Sequence, residues 1–197
     1  NGAEPVRAQH MDAFERRFSQ YGLGRDIFLP VYGLAEATLG ATFGELNAPV
    51  RLDGINRRVL ETQGLARPLP AEGASCPAER LHLVSVGRPL EAVALKIMDD
   101  DGVELAEREC GEIWLKGPNC ARGYVAPEDP SAPDQRTGTR LIGDWLATGD
   151  LGYLADGELY IVGRACDTIE TARGRMLLPD EVELFVNSVD GIRVGSA

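Results

Sequence analysis

Between residues 81 and 163 the chain is a succession of short β-rich runs separated by glycine-bearing turns. Residues 93–98 alternate in part between apolar and polar. Residues 112–116 (Glu-Ile-Trp-Leu-Lys) and 158–162 (Glu-Leu-Tyr-Ile-Val) are rich in branched and aromatic side chains, the residues that fit a pleated surface. Asp101-Gly102 and Asp156-Gly157 suit tight hairpin turns, because aspartate and glycine tolerate positive φ. The signal across these residues is β, and the middle of the chain is expected to form a small distorted β-barrel or sheet.

The flanks read differently. Met11, Phe14 and Phe18 recur at steps of three and four, marking one face of an amphipathic helix. Gly22 and Gly24 end it. Residues 26–32 read as a short buried strand with Pro30 near its end, and 36–43 as irregular or a helical turn. Residues 49–80 carry Gly54, Gly64, Pro68, Pro70, Gly73 and Pro77, which predicts a surface excursion with a short strand and a helical turn. Residues 127–140 read as a polar loop. Beyond Gly163, Leu178-Pro179-Asp180-Glu181 places proline and acids at a helix start. The fold class is mixed α/β.

The 197 residues carry a formal charge of −11 at pH 7, which argues against non-specific binding to nucleic acid or an anionic membrane. No apolar run reaches the length of a membrane span. Cys76, Cys110, Cys120 and Cys166 show no paired spacing and only two histidines are present. A zinc site is therefore not expected, and reduced thiols in a cytoplasmic protein are. Asn1 is not a start residue, so targeting is not legible.

Three strings carry the chemistry: Asn1-Gly2-Ala3-Glu4-Pro5-Val6, Tyr32-Gly33-Leu34-Ala35-Glu36-Ala37-Thr38-Leu39, and Thr148-Gly149-Asp150-Leu151-Gly152. Gly111-Glu112-Ile113-Trp114-Leu115-Lys116-Gly117-Pro118, Gly123-Tyr124 and Gly157 through Arg164 accompany them. In this order the strings resemble the acyl-adenylate-forming superfamily of acyl-CoA synthetases, peptide-synthetase adenylation domains and luciferases. The first two, with the extra segment 51–85 running into Val86-Gly87-Arg88-Pro89-Leu90, most resemble its fatty acyl-AMP ligase branch. Several ordered motifs make a far stronger signal than one short match.

The resemblance implies the end of a Rossmann-like subdomain (1–48), an insertion (49–85), a β-rich subdomain bearing the ribose motif (86–165), and a hinge opening an α+β C-terminal lid (166–197). It implies ATP/AMP and Mg²⁺ as cofactors. Gly2, Ala3 and Glu4 would wall the adenine, and Tyr32, followed by Gly33, would stack on it. Glu36 would hold Mg²⁺ at the ATP phosphates. A polar loop would present Asp150 to the ribose hydroxyls, which suits a carboxylate that accepts two donors. Arg164 would reach the ribose or acyl phosphate, and Asp167 would be the hinge. Each has a plainer reading beside it: a core tyrosine, a surface glutamate, a turn aspartate, a surface ion pair, an exposed aspartate.

The implied activity is conversion of a fatty acid to acyl-AMP and transfer to the phosphopantetheine thiol of an acyl carrier protein. The rivals are an acyl-CoA synthetase, and a non-catalytic adenylate-binding or carrier-docking domain. Two departures motivate the second rival. Cys166 stands where the pattern Gly-Arg-x-Lys-Asp has lysine, and Met176-Leu177-Leu178 replaces the usual polar residues before Pro179. A buried filler is the plainer expectation for Cys166. The phosphate-binding loop and the C-terminal lysine of the family are not in this sequence. That reads as an internal piece of a longer polypeptide, with the remainder as its partner.

Overall fold

The computed structural model describes residues 2, 5–70, 79–124, 138–172, 176–177, 182, 186, 189 and 191–192. Helix α1 (Ala8–Phe18) carries Arg16 and Arg17 in its last turn, where positive charge meets the helix dipole favourably. Its apolar face holds Phe14, 4.5 Å from Phe18 and 5.9 Å from Phe28 between ring centroids. Gly22, at φ 84°, closes the following turn.

The expected strand at 26–32 is shorter than its sequence. Arg25–Ile27 forms a 3₁₀ turn, and only Val31–Tyr32 (β1) is strand. Pro30 has no N–H to donate, so pairing begins after it. β1 runs antiparallel to β2 (Thr42–Phe43), with the 3₁₀ turn Ala35–Ala37 between them.

The excursion at 49–80 holds the expected short strand and helical turn but is not all surface, and residues 71–78 lie outside the described residues. It forms β3 (Leu52–Asn56) and α2 (Arg57–Gln63), and β3 pairs with β4 (Arg80–Val84). Ile55, Leu60 and Ala66 are fully buried and pack with Tyr153, Tyr160 and Val162. The described part of the segment is therefore a covering layer that shares a core with residues 153–162. Its helix is capped at both ends. The Asn56 side chain accepts from Val59 N at 3.0 Å, and Gly64 adopts a left-handed conformation.

After β5 (Arg88–Pro89), which pairs with β2, the central sheet holds β6 (Ala94–Met98), β7 (Gly111–Lys116), β8 (Arg140–Ile142), β9 (Trp145–Ala155) and β10 (Glu158–Arg164). Its antiparallel order is β10-β9-β7-β6, with β8 also pairing β9. Asp156 and Gly157 join β9 to β10 with φ of 54° and 74°, the geometry of a tight hairpin turn. Both faces of this sheet are covered. Leu159 joins Ile113, Leu115 and Leu146 on one side, while Tyr160 and Val162 face the covering layer. That explains why 158–162 is nearly continuous in apolar residues. Last, β11 (Ile169–Glu170) pairs with β12 (Met176–Leu177).

Candidate functional site

The site forms where β9 fails to follow its neighbours. Against β7, Glu112 pairs with Leu151 and Trp114 with Ala147. β7 advances two residues while β9 advances four, so Thr148, Gly149 and Asp150 bulge from the ladder. The sequence reading put this motif in a loop; it is a bulge inside a strand. Gly149 takes φ 77°, the left-handed region that favours glycine. A second irregularity, in β10 between Ile161 and Gly163, sets Arg164 directly opposite Asp150.

Three expected residues thereby meet. Tyr32 donates its hydroxyl to Asp150 Oδ2 at 2.7 Å, and Arg164 Nε donates to Asp150 Oδ1 at 3.0 Å. Tyr32 comes from β1, more than a hundred residues before the carboxylate it touches. It is 8% exposed, so its ring is largely enclosed and its polar end is committed to Asp150. Burial, and then the negative charge of Asp150, push the Tyr32 hydroxyl well above its usual range, so it remains a donor. Asp150 in turn raises the affinity of the Arg164 guanidinium for its proton. Arg164 is about half-exposed, at the end of β10.

Glu36 lies on the 3₁₀ turn after β1. Its carboxylate accepts from the Tyr124 hydroxyl at 2.7 Å, and its backbone carbonyl accepts from Ala121 N at 2.7 Å. Asn119 Nδ2 donates to Ala37 O and Gly40 O, both at 2.9 Å, and Thr38 Oγ1 donates to Asn119 O at 2.8 Å. The turn is thus held by the 117–124 segment. Thr38 and Leu39 both have positive φ, 52° and 71°. Gly33 is required for a different reason: a Cβ there would lie 1.5 Å from Leu39 O.

Among the described residues no group of three or more metal-ligating side chains exists. Glu36 offers one half-buried carboxylate. That is compatible with Mg²⁺, which takes one or two protein carboxylates and completes its shell with phosphate and water.

Gly2 lies against β1, where an added Cβ would fall 2.6 Å from Val31 Cγ2. Ala3 and Glu4 lie outside the described residues, as does most of 173–181. Asp167 is in the turn just after β10 and accepts from the Cys166 thiol at 3.3 Å. Cys166 is exposed, contrary to the buried filler expected. Strand β10 ends at Arg164, and residues 164–167 are exposed. In the sequence Glu112, Asn119 and Tyr124 carry no signal of their own. Their roles depend on partners 37 to 88 residues away, which no local pattern reveals.

The antiparallel sheet thus sets the bulged Thr148-Gly149-Asp150 against Tyr32 of β1 and the turn that follows it. The AMP-binding enzyme family model matches residues 1–125, and the chain belongs to that family. It falls on the fatty acyl-AMP-ligase-like branch of the acyl-adenylate-forming superfamily. Over 204 residues it is 31% identical to a long-chain-fatty-acid–AMP ligase of Mycobacterium marinum, covering 100% of this chain and 34% of that one. JamA of Moorena producens, a medium-chain-fatty-acid–[acyl-carrier-protein] ligase, is 33% identical, with 94% and 31% covered. A protein of Caulobacter vibrioides named for acyl-CoA synthetase activity is 33% identical, with 98% and 32% covered. A solved fatty acyl-adenylate ligase, from a study of the E. coli and L. pneumophila enzymes, superposes with a TM-score of 0.84 at 34% identity. It covers 100% of this chain and 33% of that one. The chain spans about a third of the length of the relatives it matches.

Proposed function

We propose that the whole protein activates a fatty acid with ATP, forming acyl-AMP and pyrophosphate, and passes the acyl group to the phosphopantetheine thiol of an acyl carrier protein in the cytoplasm. The observation that carries this reading is the convergence of Tyr32 and Arg164 on the two oxygens of Asp150. A carboxylate has about four lone-pair sites, and each oxygen here has accepted one protein donor. The remaining sites accept the ribose hydroxyls.

Tyr32 borders the base while its hydroxyl anchors Asp150, and Gly2, Ala3 and Glu4 wall the adenine. Arg164 also faces the ribose or the acyl phosphate. Glu36 would hold Mg²⁺, which supplies charge neutralisation at the ATP phosphates. These residues position groups and balance charge; the bond-making carboxylate belongs to the fatty acid. Asp167, in the turn after β10, is the hinge, and 1–48, 49–85, 86–165 and 166–197 are the subdomain divisions. The similarity to JamA favours a carrier as acceptor. The Caulobacter relative favours a second reading, transfer to CoA.

The test gives the whole protein ATP and a labelled fatty acid, with either carrier protein or CoA, and follows both products by mass. Carrier loading without acyl-CoA is expected; acyl-CoA alone selects the second reading. Asp150→Ala should weaken nucleotide binding by about 1.5–3 kcal/mol, the worth of a hydrogen bond to a charged group. Unchanged affinity in a folded variant removes Asp150 from the site.

A further inference from the structure

We infer that Glu112 is a positioning residue for nucleotide binding: it fixes the bulge that presents Asp150. The inference rests on the reading of Asp150 given above. Glu112 lies on β7, across from the bulge, with a side chain 16% exposed. Its carboxylate accepts three donors. Oε1 accepts from Gly149 N at 2.9 Å, while Oε2 accepts from Trp114 Nε1 at 2.9 Å and Arg140 Nη2 at 2.8 Å.

The bond to Gly149 is the consequential one. A bulged residue has lost its ladder partner, so its N–H needs a side chain or water. Glu112 takes that N–H, and on the other side Gly149 O accepts from Ala165 N at 2.9 Å, next to Arg164. Thr148 Oγ1 donates to Ile113 O at 2.8 Å and accepts from Asp150 N at 3.1 Å. The bulge is held at every residue, but Gly149 is its pliable member: it has no side chain, and its peptide can rotate once its N–H is released. Rotation there would carry Asp150 away from Tyr32 and Arg164.

A carboxylate is needed, not merely a side chain of that size. Three donors converge, and glutamine offers one acceptor oxygen and two further donors. Glu112→Gln keeps the volume and reverses the polarity at one of the two positions. Either Gly149 or the Trp114–Arg140 pair must then face an amide N–H.

Steady-state kinetics on the whole protein, with ATP and fatty acid varied separately, test this. Glu158→Gln is the matched control. Glu158 is another buried carboxylate of the same sheet, accepting from Ser85 Oγ at 2.5 Å and paired with Arg51 and Arg88, away from the bulge. Asp150→Ala is the reference. Glu112→Gln should raise KM for ATP by roughly tenfold or more and leave KM for the fatty acid unchanged. Glu158→Gln should lower thermal stability without moving KM for ATP. If Asp150→Ala weakens ATP binding and Glu112→Gln does not, the inference is overturned while the Asp150 reading stands. If Glu158→Gln raises KM for ATP as much as Glu112→Gln does, the effect is general damage to the sheet, and the inference is likewise overturned. If Asp150→Ala has no effect on ATP, the site reading fails and Glu112 loses its role with it.

Discussion

Replacing Gly33 by alanine tests whether the Glu36 turn and the Asp150 bulge form one site. The added Cβ would fall 1.5 Å from Leu39 O, 2.5 Å from Leu39 C and 3.0 Å from Gly40 Cα. Real Cβ atoms essentially never come within 3.0 Å of such a neighbour, so the backbone must open by about 1.5 Å. Neither side gives easily. The turn carries two consecutive residues at positive φ, Thr38 and Leu39, an arrangement already costly for non-glycine residues. It is tied down by Leu39 N to Leu34 O at 3.0 Å, Ala41 N to Tyr32 O at 2.9 Å and the Asn119 amide. If the turn yields, two or three hydrogen bonds go, at about 1 kcal/mol each, and Glu36 is displaced. If β1 yields, Tyr32 leaves Asp150. A displacement of this size at a positioning group costs on the order of 100-fold in rate. The assay is acyl-adenylate formation by the whole protein, with circular dichroism to confirm folding. Activity within about threefold of the parent, far short of that factor, would refute the coupling of turn and site.

Other outcomes follow from the packing. Tyr153→Phe removes the hydroxyl that donates to Asp53 Oδ2 at 2.8 Å, but keeps the ring stacked on Tyr160 at 5.2 Å. Amides of β3 should then exchange with deuterium about tenfold faster, as a loss near 1.4 kcal/mol implies; unchanged exchange would mean that the covering layer does not depend on this bond. Cys110, whose thiol burial pushes up to about 12, should resist alkylation until the protein unfolds. Cys166 is exposed, but its hydrogen bond to Asp167 raises its pKa. Because the thiolate is the nucleophile, it should label slowly near neutral pH and faster as pH rises. Asp167→Asn should shift that profile to lower pH, and an unmoved profile would break the assignment.

The sequence made local matters legible and left most non-local ones hidden. The Asp156-Gly157 hairpin, helix α1 and the runs in β7 and β10 depend on neighbouring residues, and periodicity or turn chemistry finds them. Residues 49–80 looked like surface because glycine and proline punctuate them. What buries Ile55 and Leu60 is the far face of β9 and β10, a hundred residues on. The Thr148-Gly149-Asp150 motif read as a loop because its residues favour turns; only the register against β7 makes it a bulge. Tyr32 and Asp150 were named separately, and their hydrogen bond is the part that no spacing predicts. Glu112 was visible merely as a polar residue in a strand.

The most direct test of the central claim is ATP–pyrophosphate exchange by the whole protein without CoA, scanned over short to long fatty acids. The account predicts exchange that requires a fatty acid and is lost in Asp150→Ala. Absence of exchange with every acid, from protein shown to be folded, would contradict it and leave an adenylate-binding domain without chemistry.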